Sequence, residues 1–210
     1  MSRVLLIRHG QTEWNRQQVF RGRADIPLSN VGIEQATALA ERLAHEPIAA
    51  VYSSPLARAL VTAEHVGRPH GLQPHRVEGL TDVDFGAWEG RSHEDVKREE
   101  GELYLRWQSQ PHLVRLPDGE TLAEVRERVM AALNDIVTRH SGNTVAVVAH
   151  RVVNKVLLCA FFGLGDDAFW RIRQDTGCLN IVECDGDQKA VLLVNDTCHE
   201  RRMERDVGDF

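Results

Sequence analysis

The stretch Val4-Leu-Leu-Ile-Arg-His-Gly10 decides the fold. Four apolar residues in a row suit a short strand buried on both faces, the habit of a parallel sheet covered by helices. The strand runs directly into Arg8 and His9. Far along the chain Thr144-Val-Ala-Val-Val-Ala149 is a second, Val-rich strand, and it ends in His150 followed by Arg151. Ligands of open α/β sheets bind beyond the carboxyl ends of the strands. Two histidines at strand ends, each beside an arginine, therefore mark a candidate site.

Outward from these strands, apolar and amphipathic segments alternate. Ser29 is placed to cap a helix through about residue 45, with Ile33, Ala36, Leu39, Ala40 and Leu43 on its apolar face. Residues 49–52 read as a strand, and 56–66 as a helix with Pro55 in its first turn. A short strand over 75–77 and an irregular aromatic stretch over 80–90 follow. Thr121 and Glu124 make a capping box that opens a helix to about residue 140. A helix over 152–162 and strands over 179–183 and 190–194 close the chain. The pattern predicts a three-layer α/β/α sandwich around a mostly parallel central sheet. Residues 1–210 form a single domain, with 92–110 as a small helical cap. Trp14, Trp88 and Trp107 read as packing residues of the core and cap.

Composition sets limits. The 210 residues are 42% hydrophobic and 27% charged, with 25 basic and 31 acidic side chains for a formal charge of −6. That balance excludes non-specific binding to nucleic acid or to an anionic membrane as the main activity. The first apolar run ends after four residues, so neither a signal peptide nor a membrane span is expected, and the predicted location is cytoplasmic. Cys159, Cys178, Cys184 and Cys198 include no CxxC pair and read as reduced, inert thiols. The histidines other than His9 and His150 lack ligand spacing such as HExxH and read as surface or incidental. No metal and no cofactor is expected. The mixed-charge run 201–205 reads as a solvated terminus. Oligomeric state is not legible, and a homodimer stays open.

The strand-end residues suit one chemistry. A dianionic phosphoryl group wants several charge-assisted donors, and arginine offers a fork that matches two oxygens. Arg8 and Arg58 supply such forks, and the amides after Ser53-Ser54-Pro55 add helix-start donors. A neutral imidazole is a competent nucleophile near neutral pH. With Arg8, Arg58 and His150 supplying positive charge, no divalent cation is required.

The segment Leu6-Ile-Arg-His-Gly-Gln-Thr-Glu-Trp-Asn15 resembles the signature of the histidine phosphatase superfamily, in its phosphoglycerate mutase-like branch. The likeness continues through Phe20-Arg-Gly-Arg-Ala-Asp-Ile-Pro-Leu-Ser29, Tyr52-Ser-Ser-Pro-Leu-Ala-Arg-Ala59, Asp84-Phe-Gly-Ala-Trp-Glu-Gly90, Pro117-Asp-Gly-Glu120 and Val147-Val-Ala-His150. The resemblance implies that His9 is the phosphorylated nucleophile. Arg8, Arg58 and His150 would complete the phosphate pocket, with Asn15 a further contact and Arg21 and Arg23 in a loop that reaches substrate.

Two departures stand out. Where relatives carry a glutamate as general acid, this chain has Asp82, one methylene and about 1.5 Å shorter; Asp84 and Glu89 are the fallback carboxylates. Where relatives have glycine after the second histidine, this chain has Arg151, followed by Asn154 and Lys155. Arg151 is expected to close the pocket or to clamp a second anionic group. Taken alone, His150 would more often be structural, Arg58 a helix-surface residue and Asp82 a turn residue. The resemblance implies a phosphoric monoester hydrolase of the histidine acid phosphatase type, acting without metal on a small phosphorylated metabolite. The alternatives are a phosphoglycerate mutase, disfavoured by the modest insertion over 92–111, and a non-catalytic phosphoester binder.

Overall fold

Along the first strand, burial alternates between two cores. Val4 and Leu6 belong to one apolar cluster, Leu5 and Ile7 to another, and all four are fully buried. That two-sided burial follows from β1 (Ser2–Arg8) lying inside a sheet whose faces are both covered. The computed structural model describes residues 1–186 and 188–200; the run 201–205 lies outside them. After β1 come α1 (Glu13–Arg16), α2 (Asn30–Leu43), β2 (Ile48–Ser53), α3 (Ala57–Gly67), β3 (His75–Arg76), α4 (His93–Glu99), α5 (Gly101–Ser109), α6 (Leu122–Arg139), β4 (Thr144–Ala149), α7 (Arg151–Phe161), β5 (Leu179–Asp185) and β6 (Gln188–Asp196).

The sheet order is β3-β2-β4-β1-β5-β6. The β1–β4, β2–β4 and β2–β3 pairs are parallel, whereas β5 runs antiparallel to β1, and β6 to β5. The sheet is therefore mixed, and its site-bearing centre is parallel. Leu39, Leu43, Ala59, Ala63 and Val66 of α2 and α3 cover one face; Val125, Val129, Leu133, Val153 and Leu157 of α6 and α7 cover the other. The result is a three-layer α/β/α sandwich.

Helix starts follow local chemistry. The Ser29 hydroxyl accepts from the Gly32 amide, and Thr121 and Glu124 form the reciprocal capping box. Two readings of the sequence need correction. Ile33 is 37% exposed while Ala36, Leu39, Ala40 and Leu43 are buried, so the stripe facing the sheet excludes it. Pro55 precedes the N-cap Leu56 instead of entering the first turn; the Ala57 amide is met from outside by Asp25 Oδ1 at 2.7 Å.

Residues 92–110 fold as two short helices, α4 and α5. Their Val96, Tyr104 and Trp107 join the same apolar cluster as β4 and α7. Trp107 packs edge-on against Phe85 and Trp170, and the Trp170 indole N–H donates to the Trp107 carbonyl at 2.7 Å. These two helices are thus built into the core. Some histidines expected to be incidental also have partners. His93 stacks flat on Phe20 at 4.1 Å, and His140 bonds the Tyr52 hydroxyl at 2.8 Å. Cys159, Cys178 and Cys184 are buried and none of the four thiols is in a disulfide. Burial pushes the Cys178 thiol up to about 12. Among the described residues no helix is long and apolar enough to cross a membrane.

Candidate active site

Parallel register brings the strand ends level. Arg8 pairs with Ala149, the His9 amide donates to the Ala149 carbonyl, and the Ser54 amide donates to Val148. His9, His150 and Ser54 therefore leave three adjacent strands at one edge. The two imidazoles lie 5.1 Å apart, edge to face, and both are buried.

The tautomer of His9 follows from its neighbours. Nδ1 lies 2.6 Å from the Gly10 carbonyl, which can only accept, so Nδ1 carries the proton. Nε2 keeps its lone pair and meets Arg58 Nε at 3.3 Å. Burial lowers the His9 pKa well below its ordinary 6.5, and Arg58 and Arg8 push it the same way against the Gly10 carbonyl. His9 is a neutral imidazole with its free nitrogen aimed at a guanidinium. Gly10 is held by its own amide on Thr62 Oγ1 at 3.2 Å and by backbone contact with Gly32, where a Cβ on either glycine would overlap the other loop.

His150 is oriented by a group that sequence reasoning missed. Its Nε2 lies 2.7 Å from Ser54 Oγ, which also accepts from the Leu56 amide. Nδ1 is directed at the carboxylate oxygen Asp82 Oδ2, 3.6 Å away, which favours the proton on Nδ1 and leaves Nε2 to accept from the Ser54 hydroxyl. Burial and nearby Arg58 push the His150 pKa well down, so this approach is not an ion pair. At that distance it is also not a formed hydrogen bond. Ser54 was legible only as a residue near a helix start; its place at the end of β2 was the available signal.

The Arg58 fork is engaged by backbone carbonyls. Nη1 donates to Ala24 O and Nη2 to Gly22 O, both at 2.7 Å, with Asp82 Oδ2 at 3.4 Å from Nη2. Its Nε is the edge turned to His9. Burial pushes Arg58 down to about 10, opposed by Asp82, so it stays charged at neutral pH. Arg8 is fully buried and donates to the Gln174 carbonyl at 2.6 Å. Gln174 is itself bonded to Asn180, whose amide also holds the Leu6 carbonyl. No local pattern announces Gln174 or Asn180, because their role depends on strands far apart in sequence.

The remaining expected residues divide. Arg21 is buried, and its charge reaches both His9 and Arg58. Arg23 is turned to Asp84 Oδ2 at 3.2 Å and Glu120 Oε1 at 3.3 Å, and the structure does not bring it to the histidines. Asn15 Oδ1 accepts from the amide and hydroxyl of Thr12, closing a capping box. Of the three carboxylates, Asp82 alone contacts both Arg58 and His150. Asp84 bonds the Gly86 amide and Arg23, while Glu89 bonds the amides of Arg23 and Phe85. Arg151 is buried at the start of α7, its guanidinium 5.8 Å from the Trp170 ring.

Comparison with known proteins places this arrangement. Phosphoserine phosphatase 1 from Hydrogenobacter thermophilus is 33% identical over 199 residues, covering 95% of this chain and 94% of that protein. The adenosylcobalamin/alpha-ribazole phosphatase of Salmonella typhimurium is 30% identical over 185 residues, 88% of this chain and 92% of that protein. The solved structure of Bacillus stearothermophilus YhfR superposes with a TM-score of 0.91 at 33% identity, covering 95% and 99% of the two chains. The family model of the histidine phosphatase superfamily, branch 1, matches residues 4–197, and with the paired strand-end histidines in place the chain belongs to that family.

Proposed function

We propose that this protein is a phosphatase that hydrolyses small phosphomonoesters through a phosphohistidine on His9. The observation that carries the reading is the state of His9. One nitrogen is tied to a carbonyl, and the other, unprotonated, points at Arg58 inside a pocket shared with Arg8 and His150.

A phosphoryl group entering beside Arg58 Nε replaces it as the partner of His9 Nε2. Nε2 forms a bond to phosphorus while the ester oxygen departs in line, and a proton held by Asp82 goes to that oxygen. Water then attacks phosphorus, the P–N bond breaks, and Asp82 takes the proton back from water. Positive charge from Arg8 and Arg58 meets the charge on the equatorial oxygens, which is the role a divalent metal would otherwise fill. The acid-phosphatase type is supported by the lowered His9 pKa, since the imidazole stays nucleophilic below pH 6.5. Reduced thiols support a cytoplasmic setting.

Phosphate release is to be measured from a panel of esters in EDTA, with His9→Ala as control. Release that survives chelation and disappears in the variant is the expected result. A chain that releases no phosphate yet interconverts phosphoglycerates is a mutase, and one that does neither but binds esters is a binder.

A further inference from the structure

The loop that carries the nucleophile is gripped by one side chain of α2. Gln35 is buried, and its Oε1 accepts from the Gln11 amide at 2.7 Å. An amide N–H can only donate, so the oxygen end of Gln35 must face it. The Nε2 end then turns the other way, donating to Thr176 Oγ1 at 3.0 Å and reaching Glu200 Oε2 at 3.4 Å. Ser29, the cap of α2, completes the grip. Its amide donates to the Gln11 carbonyl and its hydroxyl to Gln11 Oε1.

The Gln11 N–H and the Gly10 C=O belong to one peptide unit, planar and trans. Its two polar groups therefore point in opposite directions. Gln35 holds the N–H end, and His9 Nδ1 donates to the C=O end at 2.6 Å. Fixing that plane fixes where the carbonyl points. The carbonyl in turn decides which imidazole nitrogen is protonated, and leaves Nε2 free for phosphorus. A bond at the N–H also polarises the carbonyl and strengthens it as an acceptor.

We propose that Gln35 is a positioning residue for the nucleophile, acting through the Gly10–Gln11 peptide to hold His9 with Nε2 unprotonated and aimed. The role deepens the phosphatase reading and rests on it. Thr176 and Glu200 keep the Gln35 amide the right way round, so the grip reaches from α2 to the end of the described chain.

Gln35→Met removes the acceptor at similar side-chain size. With p-nitrophenyl phosphate, the first turnover reports the bond from His9 Nε2 to phosphorus forming as p-nitrophenolate leaves. That rate is expected to fall about tenfold, the equivalent of one buried hydrogen bond, while inhibition by inorganic phosphate changes little. The His9 15N signals, identified by their loss in His9→Asn, should pass from a single Nδ1–H tautomer to a mixture. Gln35→Glu paired with Glu200→Gln exchanges acceptor and donor across the contact and should restore both readouts. Thr176→Val disturbs only the Nε2 end and should lower the rate about threefold, which covers the case in which Gln35→Met does not fold. Unchanged rates in the folded variants overturn the proposal, as does an exchange that restores nothing. A slower rate with His9 signals like those of the wild type also overturns it, because that marks a purely structural role. The tautomer is read without substrate, so failure of the wild type to release p-nitrophenolate would defeat the phosphatase reading alone.

Discussion

Ser54 shows how much of the site hangs on one hydroxyl. By accepting from the Leu56 amide and bonding His150 Nε2, it helps hold the ring with Nδ1 turned to Asp82. A buried hydrogen bond of this kind contributes about 1–1.5 kcal/mol, which corresponds to about tenfold in rate if it acts in the transition state. Ser54→Ala should therefore lower kcat by about that factor with little change in KM, measured by steady-state kinetics; a rise in KM alone would mean that the hydroxyl serves binding. The four residues Arg8, His9, Arg58 and His150 were readable because their motifs are local. The surroundings of Arg23 were not readable, because its partners, Asp84 and Glu120, come from loops that no spacing rule connects to it.

At the scale of elements, α6 reaches across to the acid loop. Arg128 donates to the carbonyls of Gly79, Thr81 and Asp82 at 2.7–3.0 Å, and its remaining donors engage Glu120. Glu120 in turn accepts from the Asp84 amide. An arginine of a long helix thus holds the backbone around Asp82, where the placement of a short carboxyl side chain depends most on backbone position. Arg128→Met is expected to slow hydrolysis of alkyl phosphates about tenfold more than that of p-nitrophenyl phosphate, whose leaving group needs no proton. Equal slowing of both would show a general loss of structure. The helices and strands themselves were legible from periodicity and caps, as the Ser29 cap and the Thr121–Glu124 box illustrate. The direction of β5 and β6 was not, because an apolar strand reads the same both ways and only pairing partners settle it.

Over the whole molecule, burying two imidazoles ties stability to pH. Both His9 and His150 have folded pKa values depressed below 6.5. Below that value the unfolded chain takes up protons that the folded chain refuses, so stability is present above pH 6.5 and is lost as pH falls towards the folded values. Each group sets a limiting slope of about 1.4 kcal/mol per pH unit. Urea unfolding at pH 7.0 and 5.5 should show a larger loss in the wild type than in His9→Asn, and equal losses would contradict the burial of a neutral His9. Cap and sheet should unfold in that experiment as one, because Trp107 and Tyr104 share an apolar cluster with β4 and α7. The three-layer plan could be read in advance from alternating strands and helices. That tryptophans would weld α4 and α5 to the core could not, since Trp170 lies in a short 3-10 helix, Asp166–Arg171, with no pattern of its own.

The meeting of Gly10 and Gly32 has a bearing on how such a chain can diverge. Backbone touches backbone there, one partner in the nucleophile's loop and the other in the first turn of α2. A methyl group at either place has nowhere to go. Divergence that adds one carbon atom at either position must therefore also move the nucleophile's loop away from α2.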